Sequence, residues 1–528
     1  MMSRVLALLL SLAFCYGTSS AFYINSKKGM TNASYQNGYP MRPTNTPSIL
    51  AKRQQKIALI ANVLESSSLM MAKDPPDGDE EEESDSWLWI PTLVLPLQLV
   101  YISNQWSRSS LYYLVNFSQD ATPERAMNLD IGFSQAQYGL LASLAFTSLF
   151  AIASLGAGIA SDKYNRKQLT VLATIGWSVA TLGTAFSTDY TQVLVCRVLM
   201  GLACAFATPT AYTLINDRVP KDRTSLATSL YGTGVAFGGA LASLSILLAN
   251  QIGWKDTTIA ISVAGFASAG LSAVLLKDDK KNDPVSLSET NDEEDGFSGF
   301  VDDIGDILKS PRARWIYLAS FLRFSSGLCI GVWSAPYFKL AFPDNSSDYA
   351  VAQALITAVA GSASGLLGGY VADQLGSDSK TNGDDSDKNA LASKLLVPVV
   401  GSALAAPAWY FAVHSTDSFQ TAMIWLSVEY FIAESWFGPT ISTLLGTVTK
   451  GGTAQGLFTL TGAVANLAPT LLGVLYTNTI SQGSGSESSA ELLQWLSPAV
   501  CLGYVLSAVC FAISAQAPAT SENEANAL

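Results

Sequence analysis

The sequence predicts an all-α membrane protein in which twelve transmembrane helices form two pseudo-symmetric halves of six. The chain of 528 residues is 49% hydrophobic and only 14% charged, with a mean hydropathy of +0.27. A soluble chain of this length is rarely so apolar. Apolar segments of about 20 residues, long enough to cross a hydrocarbon core of about 30 Å, recur along the chain. One short motif also repeats at equivalent places in the two sets of six.

The first 88 residues are expected to be targeting sequence and a linker. Residues 1–20 have an early Arg4, an apolar run and then small residues, which is the plan of a signal peptide. Residues 21–72 are basic and almost free of acids, as transit peptides are, and an acidic linker follows at 73–88. The two segments resemble the bipartite plastid presequence of algae with red-lineage plastids, in which Phe22 starts the second part. This predicts the plastid envelope; the alternative is an ordinary signal peptide and a secretory-pathway or plasma membrane location.

The N-terminal half is predicted at residues 89–276. Its six spans, numbered 1 to 6, are expected at Trp89–Val115, Gln137–Ala160, Gln168–Phe186, Tyr190–Leu214, Ser225–Leu248 and Thr257–Leu276. The basic turns DKYNRK after span 2 and NDRVPKDR after span 4 predict that this end of the bundle faces the cytosol or stroma.

The C-terminal half is predicted at residues 315–514, after a polar central loop at 277–314 that includes an interfacial helix. Its six spans, numbered 7 to 12, are expected at Trp315–Phe338, Tyr349–Ala372, Leu395–Val413, Phe419–Thr447, Gln455–Asn478 and Leu492–Ser514. Residues 515–528 are expected to be a disordered tail.

The repeated motif is GxxxD at the end of span 2 and again at the end of span 8. An acid at the membrane surface beside a cationic turn can hold a salt bridge or cap a helix, and can release it when the halves move. The alternative is a basic turn that only fixes the orientation of span 2 in the membrane. The repetition favours a duplicated bundle with paired gates. Gating roles are therefore predicted for Gly158, Asp162, Lys163, Arg166, Gly369 and Asp373.

The extended motif GIASDKYNRK, with its echo GYVAD, resembles the signature of the major facilitator superfamily. The segments RVLMG in span 4, GTGVAFGG in span 5 and APTLLG in span 11 are similar to further motifs of that family. The segments NQWSR, WSAP and GYVADQLG resemble its Spinster-like branch. The resemblance implies secondary transport by alternating access. That branch usually has an acid before the span 1 arginine and a glutamate in span 4, where this chain has Ser107 and Cys204.

Charged residues within the spans are the candidate binding residues, since each costs about 2.5–3.5 kcal/mol at a helix centre unless it is paired or hydrated. Arg108 and Arg323 lie in the equivalent spans 1 and 7, where two guanidinium groups can clamp an anion; structural ion pairs or snorkelling are the alternatives. The full set of predicted substrate-binding residues is Asn104, Arg108, Arg197, Arg323, Glu429 and Glu434.

Two glutamates in span 10 are candidates for proton coupling. Glu429 and Glu434 are five positions apart, which is a rotation of about 500°, so they lie on different helix faces and at most one faces a central cavity. Such a carboxyl can carry a proton, or it can be a buried partner of Arg323 or of the Trp436 N–H.

The sequence therefore predicts a monomeric, multi-pass secondary transporter for a small organic anion or a lysolipid-like amphiphile. A transporter-like sensor or receptor without transport activity is the alternative. No Walker A, HExxH or GxSxG motif is present, and His414 is the single histidine, so no enzyme chemistry is expected. No cofactor, metal or nucleic-acid partner is predicted; the partners are the small-molecule substrate and the lipid bilayer.

Overall fold

The computed structural model describes residues 88–220, 223–277, 304–380, 386–448, 450–482 and 489–518. The predicted presequence, almost all of the acidic linker and most of the central loop and tail lie outside the described residues. Within the described part the regular elements are helices, with no strand. The all-α prediction is confirmed.

The helices of the N-terminal half follow the predicted spans, and several spans are broken near their middle. Span 1 is Leu95–Leu114, preceded by a π-helical turn; span 3 is Arg166–Ala185. Span 2 is divided into Gln135–Ala142 and Leu144–Lys163, and span 4 into Tyr190–Cys204 and Ala207–Arg218. Span 5 begins with Thr224–Gly232, and the helix Gly234–Leu275 completes span 5 and continues as span 6. Gly253, with φ of 85°, separates spans 5 and 6.

The C-terminal half has the same pattern of long and interrupted helices. Span 7 is Pro311–Ala341, preceded by a short helix over residues 304–309 in the region of the expected interfacial helix. Span 8 consists of Ser346–Leu355, Ile356–Gly361 and Ser362–Lys380, and span 9 of Ser386–Lys394 and Leu396–His414. Span 10 consists of Phe419–Ala433, Glu434–Trp436 and Phe437–Thr447. Span 11 consists of Gly451–Ala465 and Leu467–Gln482, and span 12 is the single helix Ser489–Gln516.

Length and hydropathy alone identify eight membrane-spanning stretches among the described residues. One of them, Leu226–Leu275, contains both span 5 and span 6. Spans 1, 3 and 10 are not among the eight. Span 1 carries the polar run NQWSR and span 10 is interrupted at Glu434–Trp436. These polar or broken helices are tolerated in a membrane where they face protein or a water-filled cavity rather than lipid.

Glycines allow the helices to approach closely where the sequence motifs predicted tight packing. A Cβ at Gly201 in the RVLMG motif would lie 2.0 Å from Phe146 O in span 2. A Cβ at Gly238 in span 5 would lie 2.7 Å from Ile102 O in span 1. Either substitution would force the helices apart, since such distances are far below van der Waals contact.

The two ends of the bundle differ in how the halves are joined. We call the end with the turns after spans 2 and 4 the basic end, and the other the distal end. Several hydrogen bonds between described residues of the two halves lie at the distal end: Ala136 N to Thr477 Oγ1 (2.8 Å), Tyr138 Oη to Val332 O (2.5 Å), Ser143 Oγ to Thr470 Oγ1 (2.6 Å), Ser243 Oγ to Ala350 O (3.0 Å), and Lys339 Nζ to Tyr113 O (2.5 Å) and Val115 O (2.9 Å). The distal end is therefore closed.

Candidate functional site

Arg197 in span 4 links three helices of the N-terminal half through hydrogen bonds. Its guanidinium is buried, and it donates from Nε to Leu141 O in span 2 (3.2 Å) and from Nη1 to Arg108 O in span 1 (3.0 Å). Main-chain carbonyls therefore hold the charge in place of a carboxylate. Arg197 was predicted to bind substrate, and the structure assigns its visible contacts to the scaffold.

Arg108 in span 1 is partly exposed, with its guanidinium carbon 4.7 Å from the centre of the Phe146 ring. The Arg197 guanidinium lies 5.8 Å from the centre of the same ring. The described residues provide no carboxylate within ion-pair distance of Arg108. A guanidinium stacked on an aromatic face retains its in-plane N–H donors. Those donors are available to an anionic ligand.

The residues beside the two arginines are neutral. Cys204 is buried near both Arg108 and Arg197. Ser107 and Asn104 are also buried; Ser107 Oγ has no hydrogen-bond partner among the described residues, and the Asn104 side chain lies beside the Cys204 thiol. The acids that the Spinster-like pattern would place at positions 107 and 204 are absent from a region that holds two positive charges.

Arg323 in span 7 has a different environment, because a carbonyl, a carboxylate and two aromatic rings lie beside it, although its buried Nε has no hydrogen-bond partner among the described residues. It donates from Nη2 to Ala433 O (2.8 Å) and lies 3.6 Å from Glu434 Oε1. Its guanidinium carbon also lies over the rings of Trp436 (5.3 Å) and Tyr504 (4.8 Å). Spans 10 and 12 thus enclose Arg323, and its charge is balanced within the protein.

Glu429 and Glu434 lie on different faces of span 10, as their spacing predicts. Glu429 is 2% exposed and accepts a hydrogen bond from the Tyr504 hydroxyl. The Glu434 side chain is 47% exposed and lies 3.6 Å from Arg323 in span 7, and its main-chain carbonyl lies near Gly365 in span 8. Glu429 is therefore enclosed by protein, whereas the Glu434 carboxyl is half exposed.

The predicted gating residues lie at the basic end. The span 2 helix runs through Gly158, Asp162 and Lys163; the side chains of Asp162 and Lys163 lie outside the described set. Arg166 donates from Nε to Ser161 O (2.9 Å) and pairs with Asp217 of span 4.

The repeat of the motif in span 8 also forms a pair within its own half. Asp373 Oδ1 accepts from Lys394 Nζ (2.7 Å), and Gly369 borders open space. Both observed ion pairs therefore join helices of one half.

Lys339 is a buried functional candidate that the sequence analysis missed. Span 7 is expected from the sequence at Trp315–Phe338, a range that excludes Lys339. The helix continues to Ala341 because Pro336 is accommodated within it, and this carries Lys339 into the interface between the halves. The signal available in the sequence was a lysine directly after the apolar run WSAPYF.

Comparison with known proteins identifies the family. The sequence model of the family described as Major Facilitator Superfamily matches residues 99–469, which is more than half of the chain. The chain belongs to the Major Facilitator Superfamily. Members of this superfamily that match it are transporters rather than enzymes.

Two solved structures support the major facilitator fold. A bacterial homologue of the human lysosomal transporter Spinster, in an inward-facing and unoccupied conformation, superposes with a TM-score of 0.61 at 17% identity, over 83% of this chain and 96% of that one. A D-xylose–proton symporter superposes with a TM-score of 0.56 at 12% identity, over 81% of this chain and 97% of that one.

Curated relatives are bacterial transporters. A probable sulfoacetate transporter of Cupriavidus necator is 25% identical over 69% of this chain and 84% of its own length. A gallate transporter of Pseudomonas putida is 33% identical over 25% of this chain and 29% of its own length. A 4-hydroxybenzoate transporter of Pseudomonas aeruginosa is 32% identical over 29% of this chain and 33% of its own length. The latter two matches each span less than a third of the relative.

Proposed function

We propose that this major facilitator protein moves a small organic anion across the membrane by alternating access, with Arg108 holding the anionic group. The observation that carries the proposal is the partly exposed Arg108 guanidinium without a carboxylate partner in the described residues. A cation inside a membrane protein is stable only where something compensates its charge. An anionic cargo supplies that compensation each time it binds.

The charge balance near Arg108 favours an anion over a neutral or cationic cargo. Arg108 and Arg197 lie against the same Phe146 ring, and neutral Cys204 lies beside both. Positive charge therefore accumulates at one place in a medium of low dielectric constant, where its field is strong. A bidentate carboxylate, sulfonate or phosphate matches the guanidinium fork.

The named substrates of the relatives agree with this chemistry. Sulfoacetate, gallate and 4-hydroxybenzoate are all small organic acids that are ionised at neutral pH. Two of the three are aromatic. We infer that an aromatic or short-chain carboxylate is the first class to test, ahead of a lysolipid-like amphiphile.

This proposal assigns proton coupling to span 10. Glu429 is buried beside the Tyr504 hydroxyl, with Arg323 and Glu434 as the neighbouring charged groups. The Glu434 side chain is half exposed. In this proposal, proton transfer between the exposed carboxyl of Glu434 and the buried carboxyl of Glu429 links proton movement to the exchange of states.

Uptake into proteoliposomes tests the proposal. Purified protein is reconstituted and offered radiolabelled 4-hydroxybenzoate, sulfoacetate, a neutral sugar and a lysophospholipid, each with and without an inward proton gradient. We expect saturable uptake of an organic acid above the level of empty liposomes, accelerated by the gradient. Uptake of only the sugar or only the lysophospholipid would overturn the anion proposal. Binding of an acid without uptake would support a sensor.

The presequence proposal needs a separate experiment in a cell. Residues 1–72 are fused to a fluorescent reporter in an alga with a secondary plastid, beside a Phe22→Ala version. We propose that the natural sequence directs the reporter to the plastid and that the variant stops at an earlier compartment. Secretion of both reporters would place the protein in the secretory pathway or plasma membrane.

A further inference from the structure

The ammonium group of Lys339 joins the two halves at the distal end. Lys339 lies in the last turn of span 7 and is 5% exposed. Its Nζ donates to Tyr113 O at 2.5 Å and to Val115 O at 2.9 Å. Span 1 ends at Leu114, so both acceptors are carbonyls at the C-terminus of a helix in the other half.

The end of span 1 is a favourable place for a positive charge. The last carbonyls of a helix have no partner within the helix, and together they carry about half a negative charge. A lysine near such an end both donates hydrogen bonds and interacts with the helix dipole. No carboxylate lies within ion-pair distance of Lys339 in the described residues, so the span 1 carbonyls are its observed partners.

The other bonds between the halves at this end are weaker in kind. The Tyr138 hydroxyl donates to Val332 O, and the Ser243 hydroxyl donates to Ala350 O. Both involve neutral groups, whereas a hydrogen bond from an ammonium group is roughly twice as strong. Among these described contacts between the halves, the charge-assisted bonds are those of Lys339.

A cavity large enough for several water molecules lies next to the Lys339 contact. A cavity of about 250 Å³ is bordered by Lys339, Tyr113, Asn116, Arg125, Asn250 and Asp344. Opening of the distal end would let water from this cavity hydrate both the ammonium group and the freed carbonyls. The contact can thus break without leaving a charge in a dry environment, which is what a reversible gate requires.

We propose that Lys339 is the latch of the distal gate: its bonds to the end of span 1 hold the state that is closed at the distal end, and they break when that end opens. The latch rests on the alternating-access cycle proposed above. It does not depend on the identity or charge of the substrate. Its effect is on the ratio of the two states, which can be measured without any substrate.

Cysteine labelling tests the latch. The native cysteines are replaced by serine or alanine, and one cysteine is introduced at Ala350, which is fully buried where the closed distal end meets Ser243. The labelling rate with a hydrophilic maleimide then reports how often the distal end opens. We expect Lys339→Met to raise the rate about tenfold or more, since it removes two charge-assisted bonds. Lys339→Arg keeps a charged donor and should raise it less.

Lys255→Met is the matched control. Lys255 also lies at the distal end, but it pairs with Asp130 of its own half at 2.8 Å. Its removal should leave the labelling rate within about twofold of the parent protein, since an exposed pair contributes little. A labelling rate in Lys339→Met that is equal to or below that of the parent protein would overturn the latch. The hydrogen bonds of the ammonium group would then not offset the free-energy cost of burying it.

A distance measurement covers the case in which Lys339→Met does not fold. Spin labels at Asp120 and Asp344, which both border the cavity, report the separation of the halves in Lys339→Arg and in the parent protein. We expect Lys339→Arg to populate a longer distance that the parent shows less often. Identical distributions in a folded Lys339→Arg, together with an unchanged labelling rate, would contradict the proposal. If substrate uptake alone fails, the labelling rate and the distance distribution still test the latch.

Discussion

The two halves of this transporter place an arginine in equivalent first spans, and the surroundings of the two arginines differ. Arg108 in span 1 has an aromatic ring and neutral neighbours, whereas Arg323 in span 7 has Glu434 at 3.6 Å and two aromatic rings. A charge that the protein already balances has little left to offer a ligand. This contrast supports our proposal that the N-terminal half binds the anion, with Arg323 of the C-terminal half as part of the scaffold.

The largest effect is expected from Arg108→Lys, which keeps the charge but loses the guanidinium fork. If Arg108 holds the anionic group, substrate affinity should fall by tens- to thousands-fold, because losing a charged contact in a dry site costs about 2–5 kcal/mol. Thermal stability should change little. Substrate affinity and melting temperature of purified protein are the measurements.

Arg314→Lys is the control for that experiment, because Arg314 is exposed at the start of span 7. It should leave both affinity and stability near the parent values. Unchanged affinity of Arg108→Lys for every anion tested, together with a lower melting temperature, would make Arg108 structural and remove the contrast between the halves.

Arg323→Met should give the reverse pattern. The substitution removes the donor to Ala433 O and leaves Glu434 without its partner. Because Glu434 is half exposed and can be hydrated, we expect a loss of about 2 kcal/mol in stability, below the value for a fully buried pair. A lower melting temperature with retained anion affinity in the folded fraction fits the comparison. A large loss of affinity at unchanged stability would place Arg323 in the binding site.

Cys204→Asp should make the N-terminal half more like the C-terminal half. Cys204 interacts with both Arg108 and Arg197, so a carboxylate there would balance charge that the substrate is proposed to balance. We expect anion affinity to fall about tenfold, which corresponds to about 1.4 kcal/mol. Cys204→Ser is the neutral control and should bind nearly as the parent does. Tighter anion binding by the aspartate variant would contradict this account of the site.

The sequence predicted the fold well because its signals are local. Apolar runs of membrane-spanning length and the GxxxD repeat lie within short windows, and the family match and the helices agree with them. The breaks within spans 8 and 10 were not predicted. A π-helical turn at Ile356–Gly361 or a 3₁₀ turn at Glu434–Trp436 depends on which side chains a neighbouring helix presents.

The candidate site could be predicted only as a list of charged residues. Their partners are distant in the chain: Ala433 O, which accepts from Arg323, is 110 positions away, and Tyr113 O, which accepts from Lys339, is 226 positions away. No local pattern distinguishes an arginine that packs against a carboxylate from one that does not. The absence of acids at Ser107 and Cys204 was the exception, because the family pattern marks those positions.

The smallest effect is expected from Asp373→Asn, at the basic end of the C-terminal half. Asp373 pairs with Lys394 at 2.7 Å, but its side chain is largely exposed, and such pairs contribute about 0–1 kcal/mol. Both residues belong to the same half, so the pair shapes the basic end and does not contact the proposed anion site. We therefore expect the maximal uptake rate to change by at most a few-fold and substrate affinity to stay unchanged. Asp162→Asn, the equivalent change in span 2, should likewise lower rate more than affinity, since Asp162 is assigned to a gate. Equal losses of affinity and rate in either variant would move the repeated motif from gating into binding, and both halves would then contribute charges to the anion site.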